Sequence, residues 1–88
     1  MYKISFGLKG WEEYCYWKTQ DKKTIKKIDT LIKELFKNPM QGTGKPETLK
    51  GNLSGYWSRR IDEKNRIIYK IQEDSVEILS CQGHYDDH

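Results

Sequence analysis

A long amphipathic segment between Asp21 and Pro39 constrains the fold more than any other feature. Its apolar residues recur three and four positions apart, as on one face of an α-helix. They are Ile25, Ile28, Leu31, Ile32, Leu35 and Phe36. Asp is a preferred N-cap residue and Pro cannot continue a helix, so the pattern predicts a helix over 21–38. Lysines fill the opposite side, either as a solvated face or as an electrostatic footprint for RNA or an acidic partner.

Weaker patterns predict the remaining elements. Residues 2–6 (YKISF) alternate as a strand does, and apolar spacing indicates a helix over 9–19. Both prolines and four of the seven glycines lie within 38–55, which predicts a long loop with a short strand near Thr48–Leu49. The following segments YWSRRI, RIIYKI and VEILSCQGHY, separated by DEKN and QEDS, are typical of a three-stranded antiparallel meander.

This order of elements predicts one α+β domain spanning 1–88. We expect a mostly antiparallel sheet of four or five strands, with both N-terminal helices packed on one face. No apolar run approaches the roughly 20 residues that a membrane span needs, and the first residues lack a signal-peptide core. We therefore expect a cytoplasmic protein without membrane contact. We also expect Cys15 and Cys81 to be reduced thiols.

The charges are unevenly distributed along the chain. Residues 1–50 contain eleven lysines against six acidic residues, whereas residues 51–88 contain five basic and seven acidic residues. All three arginines, Arg59, Arg60 and Arg66, fall close together. Because arginine suits bidentate phosphate contacts, the cluster indicates RNA or phosphate binding; the alternative is a chance cluster on a solvated hairpin.

The chemistry-bearing residues are few. CxxC, HExxH and glycine-rich phosphate-loop motifs are absent from the sequence. The pairs of adjacent acidic residues lie where we expect helix surfaces or turns, so we expect neither a metal nor a cofactor. Metal-free RNA cleavage needs a base for the 2′-hydroxyl, an acid for the leaving oxygen and cations for the phosphate. Glu47 can supply the base, the arginines the cations, and His84 or Tyr85 the acid or a stacking surface.

Longer motifs carry a family resemblance. The string GKPETLKGNLSGYWSRRIDEKNRIIY with a C-terminal HY, together with WEEYCYW and DKKTIKKIDTLIKE, closely resembles the YoeB branch of the RelE/ParE toxins over residues 2–85. The resemblance implies a RelE-like fold and a ribosome-dependent, metal-independent endoribonuclease. Such an enzyme cuts mRNA in the ribosomal A site through the 2′-hydroxyl and stops translation. The alternative is a protein of this fold that inhibits a target such as DNA gyrase without catalysis.

The same resemblance implies partners. They are the ribosome and its mRNA, an acidic YefM-like antitoxin, and a second copy of the chain in a homodimer. Operator DNA is implied as a partner only for the assembled toxin–antitoxin complex. Because the chain carries excess positive charge in residues 1–50, an acidic partner also agrees with its composition.

The resemblance assigns roles to individual residues. Glu47 matches the general base, His84 the general acid, and Arg66 the arginine that stabilises the scissile phosphate. Lys50 and Arg60 match basic residues that hold the phosphate or the RNA backbone.

The C-terminal end raises a question of strand geometry. Tyr85 matches the final aromatic residue of the HY ending, and 86–88 follow as a short extension. With an even-length turn at QEDS, position 71 pairs with 76, which places His84 and Arg66 on opposite faces of the sheet. A β-bulge at Gly83 would reverse that parity, and we expect one there.

Overall fold

Residues 1–83, the part of the chain that the computed structural model describes, form two helices packed on one face of a five-stranded sheet. The elements are β1 (Lys3–Phe6), α1 (Leu8–Gln20), α2 (Lys22–Lys37), β2 (Glu47–Thr48), a 3₁₀ turn (Gly51–Leu53), β3 (Tyr56–Arg60), β4 (Arg66–Gln72) and β5 (Ser75–Ser80). The strand order is β1-β5-β4-β3-β2, with β1 parallel to β5 and all other neighbours antiparallel. The predicted fold class is confirmed, whereas His84, Tyr85 and the extension 86–88 lie outside the described residues.

Helix α2 begins and ends where its sequence predicts. The Asp21 carboxylate accepts hydrogen bonds from the amides of Lys23 and Thr24, at 3.0 and 3.2 Å, and so caps the helix. Ile28, Leu31 and Leu35 are fully buried against the sheet, each contributing roughly 1.5–3 kcal/mol of burial free energy. The lysines of the opposite face are exposed. Within residues 1–83, neither helix has the length and apolar character to cross a membrane.

Helix α1 approaches the sheet at a glycine. A Cβ atom at Gly10 would lie 2.5 Å from the carbonyl oxygen of Ile78, so only glycine lets the helix backbone come this close to β5. Beneath the helices, the core of the sheet consists of Ile67 and Tyr69 from β4 and Val76 and Ile78 from β5. The close approach of α1 brings its side chains within hydrogen-bonding distance of the residues that follow β5.

A β-bulge interrupts the pairing of β4 with β5. Tyr69 lies opposite Ile78, whereas Ile68 lies opposite Ser80, so Leu79 is the extra residue. The bulge predicted at Gly83 lies at Leu79 instead, so the predicted position is wrong. The physical reason is burial, because Ile78 and Cys81 are both 1% exposed and a regular strand would direct them to opposite faces. Ser80 therefore shares the face of Ile68.

Both cysteines are free thiols. Burial, reinforced by the nearby Glu13 carboxylate, raises the pKa of Cys81 to about 12. The Cys81 thiol is therefore protonated at neutral pH and behaves as a small apolar core residue.

The long loop after α2 is organised around Arg59, whose side chain is fully buried. Its guanidinium donates a 2.7 Å hydrogen bond to Glu34, with which it forms an ion pair, and a 3.3 Å hydrogen bond to the Tyr69 hydroxyl. Three further hydrogen bonds go to carbonyl oxygens of Asn38, Gln41 and Thr43. The expectation that Arg59 binds RNA or phosphate is therefore wrong: strand alternation points it into the core, where its charge is already paired.

The ion pair predicts a dependence of stability on pH. Burial raises the pKa of the Glu34 carboxyl group, but hydrogen bonds from Thr43 and the Arg59 charge outweigh that effect and hold it below its ordinary value of 4.5. Because the folded-state pKa is depressed, this stabilisation is complete above about pH 4.5 and is lost as the pH falls through the folded-state value. Urea denaturation from pH 7 downward should show the free energy of unfolding decrease in that acidic range.

The variant Glu34→Gln should be less stable at pH 7 and should depend less on pH below about 4.5. The exposed Glu12→Gln is the matched control and should retain the wild-type slope. Asp21, whose pKa the backbone amide of Thr24 lowers, titrates in every variant, so part of the slope remains. A Glu34→Gln protein with the full wild-type slope would contradict the assignment.

Candidate active site

Strand pairing gathers polar side chains on the sheet face away from the helices. Glu47 on β2 lies opposite Ser58 on β3, and Arg60 on β3 lies opposite Arg66 on β4. Residues of matching parity on paired strands share a face. These side chains therefore point away from the face that carries Arg59.

These residues line a small cleft. Its volume is about 50 Å³, and its lining residues are Gly44, Lys45, Glu47, Ser58, Arg60 and Arg66. The carbonyl oxygen of Gly44 accepts a 2.6 Å hydrogen bond from the Arg60 amide, which fixes the loop against β3. Lys45 has a left-handed φ of 51°, a conformation that costs a side-chain-bearing residue on the order of 1–2 kcal/mol. The backbone beside the cleft is thus held in place under local strain.

The electrostatics of the cleft favour an anion. Arg60 and Arg66 are direct cross-strand neighbours, and like charges in that relation repel each other. Arg66 donates a 3.2 Å hydrogen bond from Nη1 to the carbonyl oxygen of Asp62, which positions its guanidinium group at the start of β4. Two guanidinium forks that flank a carboxylate match the oxygens of a phosphodiester beside a general base.

A larger cleft lies beside the first on the same face. Its volume is about 360 Å³, and it is lined by Lys9, Leu53, Tyr56, Ile68, Leu79, Ser80, Gln82 and Gly83. Tyr56 and Ile68 have the same parity as Ser58 and Arg66, from which each is two residues away. An aromatic ring and apolar walls next to paired arginines suit an unstacked base attached to a bound phosphate.

The predicted site residues divide into four groups. Glu47, Arg60 and Arg66 come together at the cleft, whereas Lys50 is exposed at the start of the 3₁₀ turn and is not among the residues lining it. Arg59 lies in the core. The candidates His84 and Tyr85 fall outside the described residues, so their assignments rest on the resemblance.

Sequence reasoning missed Lys45, Ser58 and Tyr56. The last two carry a readable signal, because alternation along YWSRR places them on the face of Arg60. Trp57 and Tyr69 stack on each other with ring centroids 6.4 Å apart. The hydroxyl group of Tyr69, which is fully buried, donates a hydrogen bond to the carbonyl oxygen of Pro39.

Comparison with known proteins identifies the family. A family model described as YoeB-like toxin of bacterial type II toxin-antitoxin system matches residues 6–85. The chain belongs to this family. Toxin YoeB of Escherichia coli K12 is 47% identical over 83 residues, which are 94% of this chain and 99% of that protein.

Solved structures of other YoeB proteins are similar to this YoeB-like toxin, which agrees with its membership of the family. The YoeB dimer from Staphylococcus aureus matches with a TM-score of 0.86 and 42% identity, covering 96% of this chain and 98% of that one. A heterotetrameric YoeB-YefM toxin–antitoxin complex from the same organism matches with a TM-score of 0.86 and 42% identity, covering 97% and 99%. The resemblance stated from the sequence motifs is confirmed.

Because Arg60 and Arg66 lie opposite each other, we predict that their repulsion lowers the stability of this YoeB-like toxin. In a Glu47→Gln background, where the cleft carboxylate no longer attracts the arginines, replacing Arg60 with Gln removes one of two like charges across the β3–β4 pair, so the free energy of unfolding should rise by about 0.2–1 kcal/mol at low salt. The gain should shrink as ionic strength increases. Urea denaturation at two salt concentrations measures both effects.

Lys70→Gln is the matched control, because Lys70 lies on the same sheet face opposite the acidic Glu77. Removing that favourable pair should lower stability rather than raise it. A Glu47→Gln/Arg60→Gln protein no more stable than the Glu47→Gln protein at low salt would argue against repulsion in the cleft.

Proposed function

We propose that this YoeB-like toxin is a ribosome-dependent, metal-independent endoribonuclease that cuts mRNA in the ribosomal A site. The observation that carries the proposal is the convergence of Glu47, Arg60 and Arg66 on one cleft of a chain that belongs to a toxin family. A carboxylate beside two arginines is the minimal equipment for phosphodiester cleavage without a metal. A non-catalytic inhibitor of a protein target has no need of this combination.

In the proposed reaction, Glu47 accepts the proton of the 2′-hydroxyl group, and the resulting oxygen attacks the adjacent phosphorus. The bond from phosphorus to the 5′-oxygen breaks, and His84 donates a proton to that leaving oxygen. The products are a 2′,3′-cyclic phosphate, which water can open to a 3′-phosphate, and a 5′-hydroxyl end. Arg66 and Arg60 stabilise the negative charge that accumulates on the phosphate oxygens in the transition state.

The dimensions of the two clefts support dependence on the ribosome. The arginine-lined cleft has a volume of about 50 Å³, and its neighbour of about 360 Å³ offers an aromatic side chain for a base. Together they accommodate a short piece of RNA, so little binding energy comes from the rest of the message. A ribosome that presents the mRNA in a fixed conformation supplies the missing orientation.

We further propose an acidic antitoxin partner, a homodimer and a cytoplasmic location. The Staphylococcus aureus relative is solved both as a dimer and in a heterotetramer with YefM. The exposed lysines of α2 give this chain a surface that attracts an acidic segment. Such a segment can be disordered alone and become ordered on contact. Operator DNA would be bound by the assembled complex.

Substitutions of the proposed catalytic residues should slow cleavage strongly with little effect on ribosome binding. Glu47→Ala and His84→Ala should each lower the single-turnover rate about 10²–10⁴-fold, the usual contribution of a positioned base or acid. Arg66→Ala should cost a comparable factor, because it removes a charge-assisted contact that strengthens in the transition state. Mapping new mRNA 5′ ends in a reconstituted translation reaction measures the rates, and co-sedimentation with ribosomes measures binding.

Glu12→Ala, which removes an exposed carboxylate from α1, is the control for general loss of negative charge and should cleave like the wild type. A Glu47→Ala protein that cleaves at the wild-type rate would refute the base assignment. Inhibition of growth without any new mRNA ends would favour the non-catalytic alternative.

Cleavage should also survive removal of divalent ions from the toxin. Within residues 1–83, no three His, Cys, Asp or Glu side chains come together in a group that could hold a metal ion. Toxin treated with EDTA and then transferred to intact ribosomes in their usual Mg²⁺ should therefore cleave at the untreated rate. Loss of activity that a transition-metal ion restores, with ribosomes shown to be intact, would contradict the metal-free mechanism.

A further inference from the structure

The chain just after β5 is held by side chains of α1. The Glu13 carboxylate accepts a 2.8 Å hydrogen bond from the Cys81 amide, and the Trp17 indole donates a 2.9 Å hydrogen bond to the Cys81 carbonyl oxygen. Both backbone polar groups of Cys81 are thus paired outside the sheet ladder. Because Cys81 is itself 1% exposed, this anchor fixes where the chain leaves the core.

A second anchor follows at Gly83. Its amide donates a 2.8 Å hydrogen bond to Oδ1 of Asn65, and its carbonyl oxygen accepts a 3.0 Å hydrogen bond from the Arg66 amide. Gly83 has a φ of 84°, in the left-handed region that glycine adopts without strain. Asn65 in the turn between β3 and β4 and Arg66 at the start of β4 therefore hold both backbone groups of Gly83, the residue that precedes His84.

The Asn65 side chain is itself held in one orientation. Its Nδ2 donates to both carboxylate oxygens of Asp62, at 3.1 and 3.2 Å, which leaves Oδ1 to face Gly83. Burial raises the pKa of the Asp62 carboxyl group, but hydrogen bonds from the Asn65 side chain and the Lys64 amide outweigh it and lower the pKa overall. Asp62 is therefore ionised at neutral pH and keeps the Asn65 amide from flipping.

The same turn also contacts Arg66 at the cleft. The carbonyl oxygen of Asp62 accepts a hydrogen bond from Arg66 Nη1, while Asn65, three residues after Asp62, holds Gly83. One short turn thus fixes the guanidinium that lines the cleft and the backbone from which the chain continues to His84. Nothing in the proposed chemistry requires Asn65 to touch the reacting atoms.

We propose that Asn65 is a positioning residue, which holds the backbone of Gly83, the residue that precedes His84, in place relative to Arg66. This inference rests on the proposed function, in which His84 protonates the leaving oxygen. Loss of the Asn65–Gly83 hydrogen bond releases the amide of Gly83 and leaves only its carbonyl oxygen held. A displacement of about 1 Å at a catalytic group can reduce a rate about 10²-fold, so the contact has a large effect without being catalytic.

The test is a double-mutant cycle on ribosomes. Asn65→Ala should lower the single-turnover rate at saturating ribosomes about tenfold to 10²-fold, with the half-saturating concentration nearly unchanged. In the His84→Ala background, Asn65→Ala should cause no further loss, because the group it positions is gone. In the Lys50→Ala background the full factor should persist, since distant and independent sites combine additively.

Two controls separate positioning from loss of structure. Lys64→Ala changes an exposed residue of the same turn and should retain wild-type cleavage. Hydrogen exchange should show faster exchange of the Gly83 amide in Asn65→Ala, with the core amides of β4 still protected. If Asn65→Ala does not fold, Asn65→Ser preserves a turn-forming side chain too short to reach Gly83 and should show the same kinetic defect.

Three results would each overturn the positioning role of Asn65. If Asn65→Ala lowers the single-turnover rate as much in the His84→Ala background as in the wild type, the positioning role is overturned and the ribonuclease proposal stays intact. The same holds if Asn65→Ala changes only the half-saturating ribosome concentration. An unaltered Gly83 exchange rate in Asn65→Ala would also overturn it. A wild-type protein that produces no mRNA cuts would instead overturn the proposed function, and the positioning role with it.

Discussion

The architecture depends on one buried charge, that of Arg59. Removing a guanidinium group from water costs several kcal/mol, and the structure offsets this cost with the Glu34 carboxylate, the Tyr69 hydroxyl and carbonyl oxygens of the loop after α2. That loop is rich in glycine and polar residues, so hydrogen bonds to Arg59 hold it where apolar packing cannot. Since the loop leads directly to Gly44 and β2, the position of one cleft wall follows from a charge on the opposite face of the sheet.

Neighbouring arginines therefore have unrelated roles. Strand alternation directs Arg59 into the core and Arg60 into the cleft, although both are identical in chemistry and adjacent in sequence. Under the proposed function, substituting either one would reduce cleavage, the first by loosening the loop and the second by weakening the contact with phosphate. Activity alone cannot separate a core residue from a site residue in this chain. The free energy of unfolding can, because loss of the buried Arg59 charge should lower it strongly, whereas Arg60 is exposed and its loss should change it little.

The sequence predicts the parts of the fold that local rules govern. Periodicity, an N-cap and a proline define α2, and alternation with turn residues defines the meander. The sequence-based predictions are wrong where burial in the tertiary structure determines the position of a residue. Clustering along the sequence suggested a shared role for three arginines, although alternation separates Arg59 from the other two. The bulge lies at Leu79 because Ile78 and Cys81 both enter the core, a requirement that no local pattern displays. The left-handed backbone of Lys45 likewise has no sequence signal.

The cleft concentrates features that lower the stability of the free protein. Two arginines face each other across paired strands, and Lys45 holds a strained backbone conformation beside them. Cations fixed in advance need no reorganisation when charge develops on a phosphate, so the same arrangement that destabilises the fold suits transition-state stabilisation. An anion bound between the arginines relieves their repulsion and, because it binds only the folded chain, stabilises that state. Under the proposed function, the repulsion between the arginines in the unbound protein is thus a source of affinity for RNA phosphate or for an acidic segment that reaches the cleft.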